Sequence, residues 1–132
     1  MTSSIELALS IQQPFVEQIL QGTKKAEYRS SATHIRGRVY LYASMKPAKP
    51  ERWKGTGYQP GDLPTRALVG TVEIVDCVWD ARQQSFAYKL KNPKRLRKHI
   101  VPANVRVAGP RFWRPRFPGS PNGSTYRPPP MY

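Results

Sequence analysis

The sequence is short of cysteine and of long apolar runs, and each shortage excludes a class of protein. Cys77 is the single cysteine among 132 residues, which excludes an internal disulfide and a cysteine-based zinc site. Its place in the apolar run VEIVDCVW predicts a buried, unreactive thiol. No apolar run approaches the roughly 20 residues that a helix needs to cross a bilayer, and the N-terminal MTSSIELALSIQQP lacks the basic region of a secretory signal. We therefore expect a cytoplasmic protein without membrane attachment.

The usual motifs of nucleotide-dependent enzymes and metalloenzymes are also missing. The chain has no Walker-type phosphate loop and no G-x-G-x-x-G. Its two histidines, His34 and His99, are far apart and have no metal-ligand neighbours at a recognisable spacing. The eight acidic residues are scattered, whereas a metal-dependent nuclease needs several convergent carboxylates. We therefore predict no metal site and no cofactor.

Acidic residues are scarce, and their distribution is uneven. Lys and Arg number 22 against eight Asp and Glu, which gives a formal net charge of +14. Residues 81–132 hold twelve of the basic residues and none of the acidic ones. This imbalance favours a polyanionic partner, nucleic acid above all, over a generally basic protein with no specific partner. The predicted phosphate-binding residues form one run, which consists of Lys91, Lys94, Arg95, Arg97 and Lys98. The alternative is that this run is only a solvated, charged turn.

Hydrophobic patterning predicts a mixed α+β fold that is mainly β, a small β-barrel with one or two short flanking helices. The helix lies in PFVEQILQG, with Pro14 in its first turn and Gly22 at its end. The predicted strands are KKAEYRS, RVYLYAS, RALVGTVEIVDCVWD, SFAYKLKN and RFWRPRF, with Gly70 a bulge in the third. Residues 45–65, rich in proline and glycine, form a long loop.

Three finer predictions complete this outline. Asn92 and Pro93 are expected to begin a single helical turn in NPKRLRKHI. Trp79 and Trp113, which lie in strand-like segments, are expected in the core. The Pro/Gly/Ser-rich residues 118–132 are expected to form a disordered tail, which leaves one domain over residues 1–117.

The stretch GTKKAEYRS, which follows the helix, concentrates mixed charges. In a strand, Ala26 and Tyr28 would face the core. Glu27 and Arg29 would then leave the opposite face with their Cβ atoms roughly 7 Å apart, and Lys24 in the preceding turn can lean over them. A carboxylate can accept from an exocyclic amine, while a guanidinium can grip a phosphate or a carbonyl oxygen. The alternative is an exposed row of ion pairs worth well under 1 kcal/mol each.

These residues also carry a resemblance to a known family. L-S-I-x-x-P at 9–14, G-x-K-x-x-E-x-R at 22–29 and the strand ending in Ala43 and Ser44 resemble the ASCH domain family, small β-barrels related to the PUA RNA-binding fold. YKLKNPKRLRKHI and FWRPRF are similar to later parts of that family, so that the resemblance covers about residues 7–117. It implies a PUA-like domain, an RNA-linked function and a cleft between the first helix and the barrel.

The resemblance also implies a possible activity. Some small members look like amidohydrolases that remove an acyl group from N4 of cytidine with a lysine, a threonine and a glutamate. Lys24 matches the lysine, Glu27 occupies the position of the threonine, and the glutamate has no clear match. Other members have been described as ribonucleases.

We therefore predict a monomeric RNA-binding module that receives a nucleotide, plain or modified, in this cleft. The predicted ligand-binding residues are Ser10, Gln12, Lys24, Glu27, Arg29, Ser44, Trp53 and Tyr58. The alternative for Ser10 and Gln12 is helix capping. For Ser44 it is a hydroxyl that bonds to the backbone at a strand end, and for Trp53 and Tyr58 it is a role in pinning the long loop to the barrel. Two other functions stay open: a metal-independent hydrolase with Lys24 and Glu27 as catalytic residues, and an adaptor that docks through the tail YRPPPMY.

Overall fold

The computed structural model describes residues 5–104 and 111–119. Their one α-helix is α1 (Phe15–Gln21), and a single 3-10 turn covers Pro50–Trp53. The strands are β1 (Ala8–Ile11), β2 (Ala26–Arg29), β3 (Gly37–Ala43), β4 (Ala67–Asp80), β5 (Ser85–Ile100) and β6 (Phe112–Trp113). The prediction of a mainly β fold with short flanking helices is confirmed. The predicted tail lies outside the described residues, apart from 118 and 119.

All six strands belong to one sheet, in the order β2-β5-β4-β3-β1-β6. Among the described strands only β1 and β3 pair in parallel, and the long β4–β5 hairpin joins the two halves of the sheet. Within the described residues no backbone ladder joins β2 to β6, the two ends of this order. Side chains join the two sides instead: Arg29 of β2 donates to the carbonyl of Ser10 on β1 (2.5 Å), and Arg111, just before β6, donates to that of Ser31, just after β2 (3.0 Å). The sheet thus curls until its ends meet at a seam, without a closed ladder.

The core consists of two clusters of buried side chains. The larger cluster joins residues of the sheet such as Leu9, Leu41 and Val72 with Val16 and Ile19 of α1. The smaller cluster is aromatic, and it contains Tyr40, Tyr42, Trp113 and Phe117. Two edge-to-face contacts, with ring centroids 5.6 and 5.1 Å apart, connect them in pairs. Trp113 is therefore in the core, as the sequence predicts.

Helix α1 begins and ends where the sequence signals predict. Pro14 occupies the N-cap position, and Gly22 ends the helix in the left-handed region (φ 84°), which favours glycine. The helix lies against β4 at Gly70, where an added Cβ would approach Leu20 Cδ2 to 2.5 Å and the carbonyl oxygen of Lys94 to 2.7 Å. The β4–β5 register shifts between Leu68 and Gly70, so the predicted irregularity is confirmed.

The predicted helical turn at Asn92 and Pro93 is wrong. Residues 85–100 form one continuous strand, in which Asn92 has a positive φ of 53°. The register against β4 shifts between Thr71 and Glu73, opposite this point, so the strand absorbs the proline at an irregularity. The turn-forming residues therefore produce a bulge and not a helical turn. The reason is that the segment pairs with β4 through backbone hydrogen bonds, and Leu96 packs in the core.

Three expected core side chains are more exposed than the sequence predicts. Tyr28 is 37% exposed and Trp79 is 53% exposed, while Cys77 is half-buried. For Trp79 and Cys77 the reason is that β4 extends past β3, whose pairing stops at Gly37 opposite Ile74, so that this part of β4 pairs only with β5 among the described strands. For Tyr28 the reason lies in β2: Glu27 pairs with the buried Tyr88 and shares its face, so Tyr28 lies on the opposite face from the one predicted. Sequence alternation does not reveal where a neighbouring strand ends.

Candidate functional site

A cleft of about 750 Å³ opens where β2 meets β1 at the seam. Six of the eight predicted ligand-binding residues line it: Ser10, Gln12, Lys24, Glu27, Arg29 and Ser44. They come from three places in the chain: the end of β1 and the residue after it, the segment from the helix end through β2, and the residue after β3. The fold brings them together because β1 and β3 run in parallel and end side by side, with Ile11 opposite Ala43.

Glu27 is the centre of the cleft. Its side chain is largely buried, with the residue 7% exposed, and both carboxylate oxygens contact cations. Oε1 lies 3.6 Å from Nζ of Lys24, and Oε2 accepts from Nε of Arg29 at 2.8 Å. A buried carboxylate needs such partners, since an uncompensated buried charge is costly. The trio carries a net charge of +1.

Arg29 connects this trio to the seam. Its Nη2 donates to the carbonyl oxygen of Ser10, which follows the Leu9–Phe112 pair at the start of the two-residue strand β6. Its Nε and Nη2 are thus occupied, while Nη1 has no hydrogen-bond partner in the described part of the chain. The guanidinium is held in one orientation with one donor group left for a ligand.

The side chain of Lys24 is also held in place by its neighbours. Its ammonium lies 5.1 Å from the ring centroid of Phe15 and 5.2 Å from that of Tyr28, which are distances of cation–π contacts. Its backbone N–H donates to the carbonyl of Gln18, within the helix termination. The exposed Tyr28 therefore lies against the cleft lysine instead of the core.

The remaining wall residues contribute in different ways. The hydroxyl of Ser10 accepts a hydrogen bond from the Trp113 indole (2.8 Å), so the core fixes it. Ser44 is half-buried and Gln12 is exposed. The loop adds two cations to the lining, Lys49 and Arg52, which sequence reasoning missed because the loop has no periodic pattern. With Lys24, Arg29 and Glu27, the charged side chains of the cleft sum to +3.

The sequence model of the ASCH domain family matches residues 9–109. The chain belongs to the ASCH domain family. It is also similar to the protein named Activating signal cointegrator 1, at 28% identity to the Homo sapiens protein and 27% to the Mus musculus protein. Each match covers 80% of this chain but 22% of the relative, so the chain spans about a fifth of their length. Membership of the family points to an RNA-related function.

Two predicted ligand-binding residues of this ASCH domain lie away from the cleft. Trp53 is 6% exposed, and its indole donates to the carbonyl of Ala48 (3.1 Å), which anchors the loop at the cleft wall. Tyr58 lines a smaller cavity on the far side of α1, together with Glu17 and Thr56. The structure thus gives Trp53 the loop-pinning role that was its alternative.

A second depression of the ASCH domain, which we call the lysine groove, lies next to the cleft. It has a volume of about 380 Å³ and an apolar floor that includes Ile19, Val72 and Leu90. Four lysines surround it, and no acidic residue lines it: Lys24, Lys25, Lys89 and Lys91. Because Lys24 also lines the cleft, the two depressions adjoin at this side chain.

The predicted phosphate-binding run lies along β5, and its members differ. Lys91, Arg97 and Lys98 are exposed, and Lys91 lines the lysine groove. Arg95 instead donates to both carboxylate oxygens of Glu17 at 2.8 and 2.9 Å, which ties α1 to β5. These hydrogen bonds to Glu17 raise the pKa of Arg95 above its ordinary value. The guanidinium of Arg95 thus has a structural role, because it pairs with Glu17 of α1.

No cluster of three or more potential metal ligands is present in residues 5–104 and 111–119. Over the same residues no helix is long and apolar enough to span a membrane.

Proposed function

We propose that this ASCH domain binds RNA, with one nucleotide in the cleft and the adjoining phosphates along the lysine groove and β5. The observation that supports this most is the Lys24–Glu27–Arg29 trio, a buried carboxylate between two oriented cations at the wall of an open cleft. Side chains that only solubilise a surface are not held in this way. Pre-oriented groups are typical of a binding site, since they lower the entropy cost of gripping a ligand.

The chemistry of the cleft fits a nucleotide. A guanidinium with a remaining donor group can bind a base carbonyl or a phosphate oxygen, and the surplus of positive charge attracts the backbone. Phe15 and Tyr28 add aromatic surface beside Lys24. Which base is preferred, and whether it is modified, depends on how the ligand uses the donors of Arg29 and the hydroxyls of Ser10 and Ser44.

The trio favours recognition over hydrolysis. A catalytic lysine or carboxylate must reach a proton or a reacting carbon, whereas Lys24 and Glu27 contact each other and Glu27 also accepts from Arg29. We therefore place the hydrolase second. Because the relatives named Activating signal cointegrator 1 match this chain over a fifth of their length, we propose for it only the RNA contact, and no cointegrator activity.

Titration of labelled single-stranded RNA at several salt concentrations tests the proposal. Log affinity should fall linearly with log salt, with a slope of about −0.7 per phosphate contacted. A nucleoside monophosphate, titrated separately, should shift the NMR signals of Glu27 and Arg29, and Arg29→Ala should abolish those shifts. Arg116→Ala is the matched control, because this arginine is exposed and lines neither the cleft nor the lysine groove.

Three results would overturn or replace the proposal. RNA binding that is absent or insensitive to salt would overturn it. Signal shifts confined to residues outside the cleft would overturn the assignment of the nucleotide site. Turnover of N4-acetylcytidine or of labelled RNA, lost in Lys24→Ala, would replace recognition by hydrolysis as the function.

A further inference from the structure

The exposed tryptophan at the end of the β4–β5 hairpin is the feature that neither the core nor the cleft explains. Trp79 is 53% exposed, although its type is usually buried. Its ring contacts Phe86 edge to face, with centroids 5.1 Å apart and an interplanar angle of 72°. This geometry leaves at least one face of the indole clear of Phe86.

The sheet register places this ring beside the cleft. Trp79 pairs with Phe86, and Phe86 pairs with Arg29, so the three side chains occupy one row across β4, β5 and β2. Directly paired residues share a face of the sheet, and two strand spacings put the Cα atoms of Trp79 and Arg29 roughly 10 Å apart. Gln83, in the turn of the same hairpin, lines the cleft itself.

The charges near the hairpin end favour a polyanion over an acidic or neutral surface. Arg36 and Arg82 balance Asp76 and Asp80 in charge, and the adjoining Lys24–Glu27–Arg29 trio adds a net charge of +1. Both carboxylates are engaged: Asp80 accepts from the backbone N–H of Gln83 (3.0 Å), and Asp76 lies 3.8 Å from Arg36. The local balance is therefore positive and continuous with the charge of the cleft.

We propose that Trp79, supported by Phe86, is a base-stacking platform for the RNA segment next to the nucleotide in the cleft. This rests on the proposed function and extends it: the preferred ligand is a short single strand with splayed bases. Duplex would be bound less well, because its bases already stack on each other. Aromatic stacking accepts any base, so Trp79 adds affinity and sets the length of RNA required, while the cleft selects the nucleotide.

The three tryptophans make a direct test possible. Trp53 and Trp113 are 6% and 5% exposed and bond to the cleft residues Ala48 and Ser10, so the fluorescence change caused by a nucleoside monophosphate is subtracted and the remainder reports on Trp79. A short oligouridylate should quench this fluorescence, and the same strand with abasic sites should not. In Trp79→Phe the quenching should disappear while most of the affinity remains.

Affinity measurements complete the test. Trp79→Ala should weaken oligouridylate binding about 5- to 150-fold and leave binding of a nucleoside monophosphate, followed by NMR, unchanged. Val78→Ala is the matched control: it is 39% exposed on the same strand, points to the other face of the sheet, and should leave both affinities unchanged.

Four outcomes would overturn the stacking platform. If wild-type protein binds oligouridylate and Trp79→Ala binds it equally well, the platform is wrong and the proposed function stands. If Trp79→Ala weakens the mononucleotide as well, Trp79 belongs to the cleft. If size-exclusion chromatography reveals a dimer that Trp79→Ala dissociates, this surface joins copies of the chain. If the wild-type protein binds neither ligand, the platform and the proposed function fail together.

Discussion

The cations of the cleft and the cations of β5 have the same charge but are held very differently. Lys24 and Arg29 contact a buried carboxylate, two rings and a backbone carbonyl. Lys91, Arg97 and Lys98 extend into solvent and form no ion pair within the described residues. Fixed donors discriminate between ligands by geometry, whereas mobile ones attract any polyanion. If the proposed function holds, we therefore expect selectivity to depend on the cleft and bulk affinity to depend on β5.

The largest effect should follow removal of the carboxylate that holds the cleft cations. Glu27→Ala leaves Lys24 and Arg29 without their shared partner, so we expect a loss of about 2 kcal/mol in the free energy of unfolding and a loss of nucleotide binding of tenfold or more. Chemical denaturation and NMR titration measure the two effects. Glu51→Ala, on the exposed surface, is the control. A fully stable Glu27→Ala that binds nucleotide normally would remove the distinction between the two groups of cations.

Arg29→Lys keeps the charge and loses the planar fork. Lysine offers one ammonium and cannot bridge Glu27, Ser10 and a ligand together. We expect about tenfold weaker binding of a nucleoside monophosphate with a nearly unchanged salt slope for longer RNA. If Arg97→Lys weakened mononucleotide binding equally, the planar geometry of the guanidinium would matter outside the cleft as well, which would contradict the prediction.

Neutralising the exposed cations of β5 should do the opposite. The triple variant Lys91→Gln, Arg97→Gln, Lys98→Gln should reduce the salt slope by about 0.7 for each phosphate that the variant no longer binds. Preference among bases, measured by competition with different homopolymers, should stay the same. A changed base preference would place part of the selectivity on β5.

Arg95 should show the smallest effect on RNA. It is tied to Glu17, and about half of its side chain is exposed, so Arg95→Gln should lower the free energy of unfolding by about 0.5–1 kcal/mol and barely change the salt slope. Arg97→Gln should show the reverse pattern. A double-mutant cycle with Glu17→Gln isolates the contribution of the pair. If the salt slope falls equally in Arg95→Gln and Arg97→Gln, Arg95 contacts phosphates despite its ion pair with Glu17.

Local signals predict the elements and much of the cleft, because the residues that decide them are close in sequence. Gly22, Lys24, Glu27 and Arg29 lie within eight positions, and their spacing specifies a helix end followed by a strand. The mainly β fold and the short helix are confirmed, as is the irregularity at Gly70.

What the sequence could not predict depends on distant neighbours. Trp79 has the alternation of a core residue, but β3 ends too early to cover the hairpin that carries it. Tyr28 also alternates like a core residue, but the pairing of Glu27 with Tyr88 turns the other face of β2 to the core. Asn92 and Pro93 resemble a helix start, yet β4 pairs across them. Lys49 and Arg52 reach the cleft through a loop whose course is fixed by the indole of Trp53. Each of these outcomes depends on packing partners that no local window contains.

The close approach at Gly70 seats the helix that supplies part of the cleft wall. Helix α1 lies directly on this residue, and its first residue, Phe15, forms part of the cleft wall, while Lys24 follows just after its end. A side chain at position 70 would meet the end of the Leu20 side chain on α1 and the backbone carbonyl of Lys94 on β5, so both would have to shift. The missing side chain at Gly70 thus lets Leu20 seat the helix against the sheet, and the same helix brings Phe15 to the cleft wall.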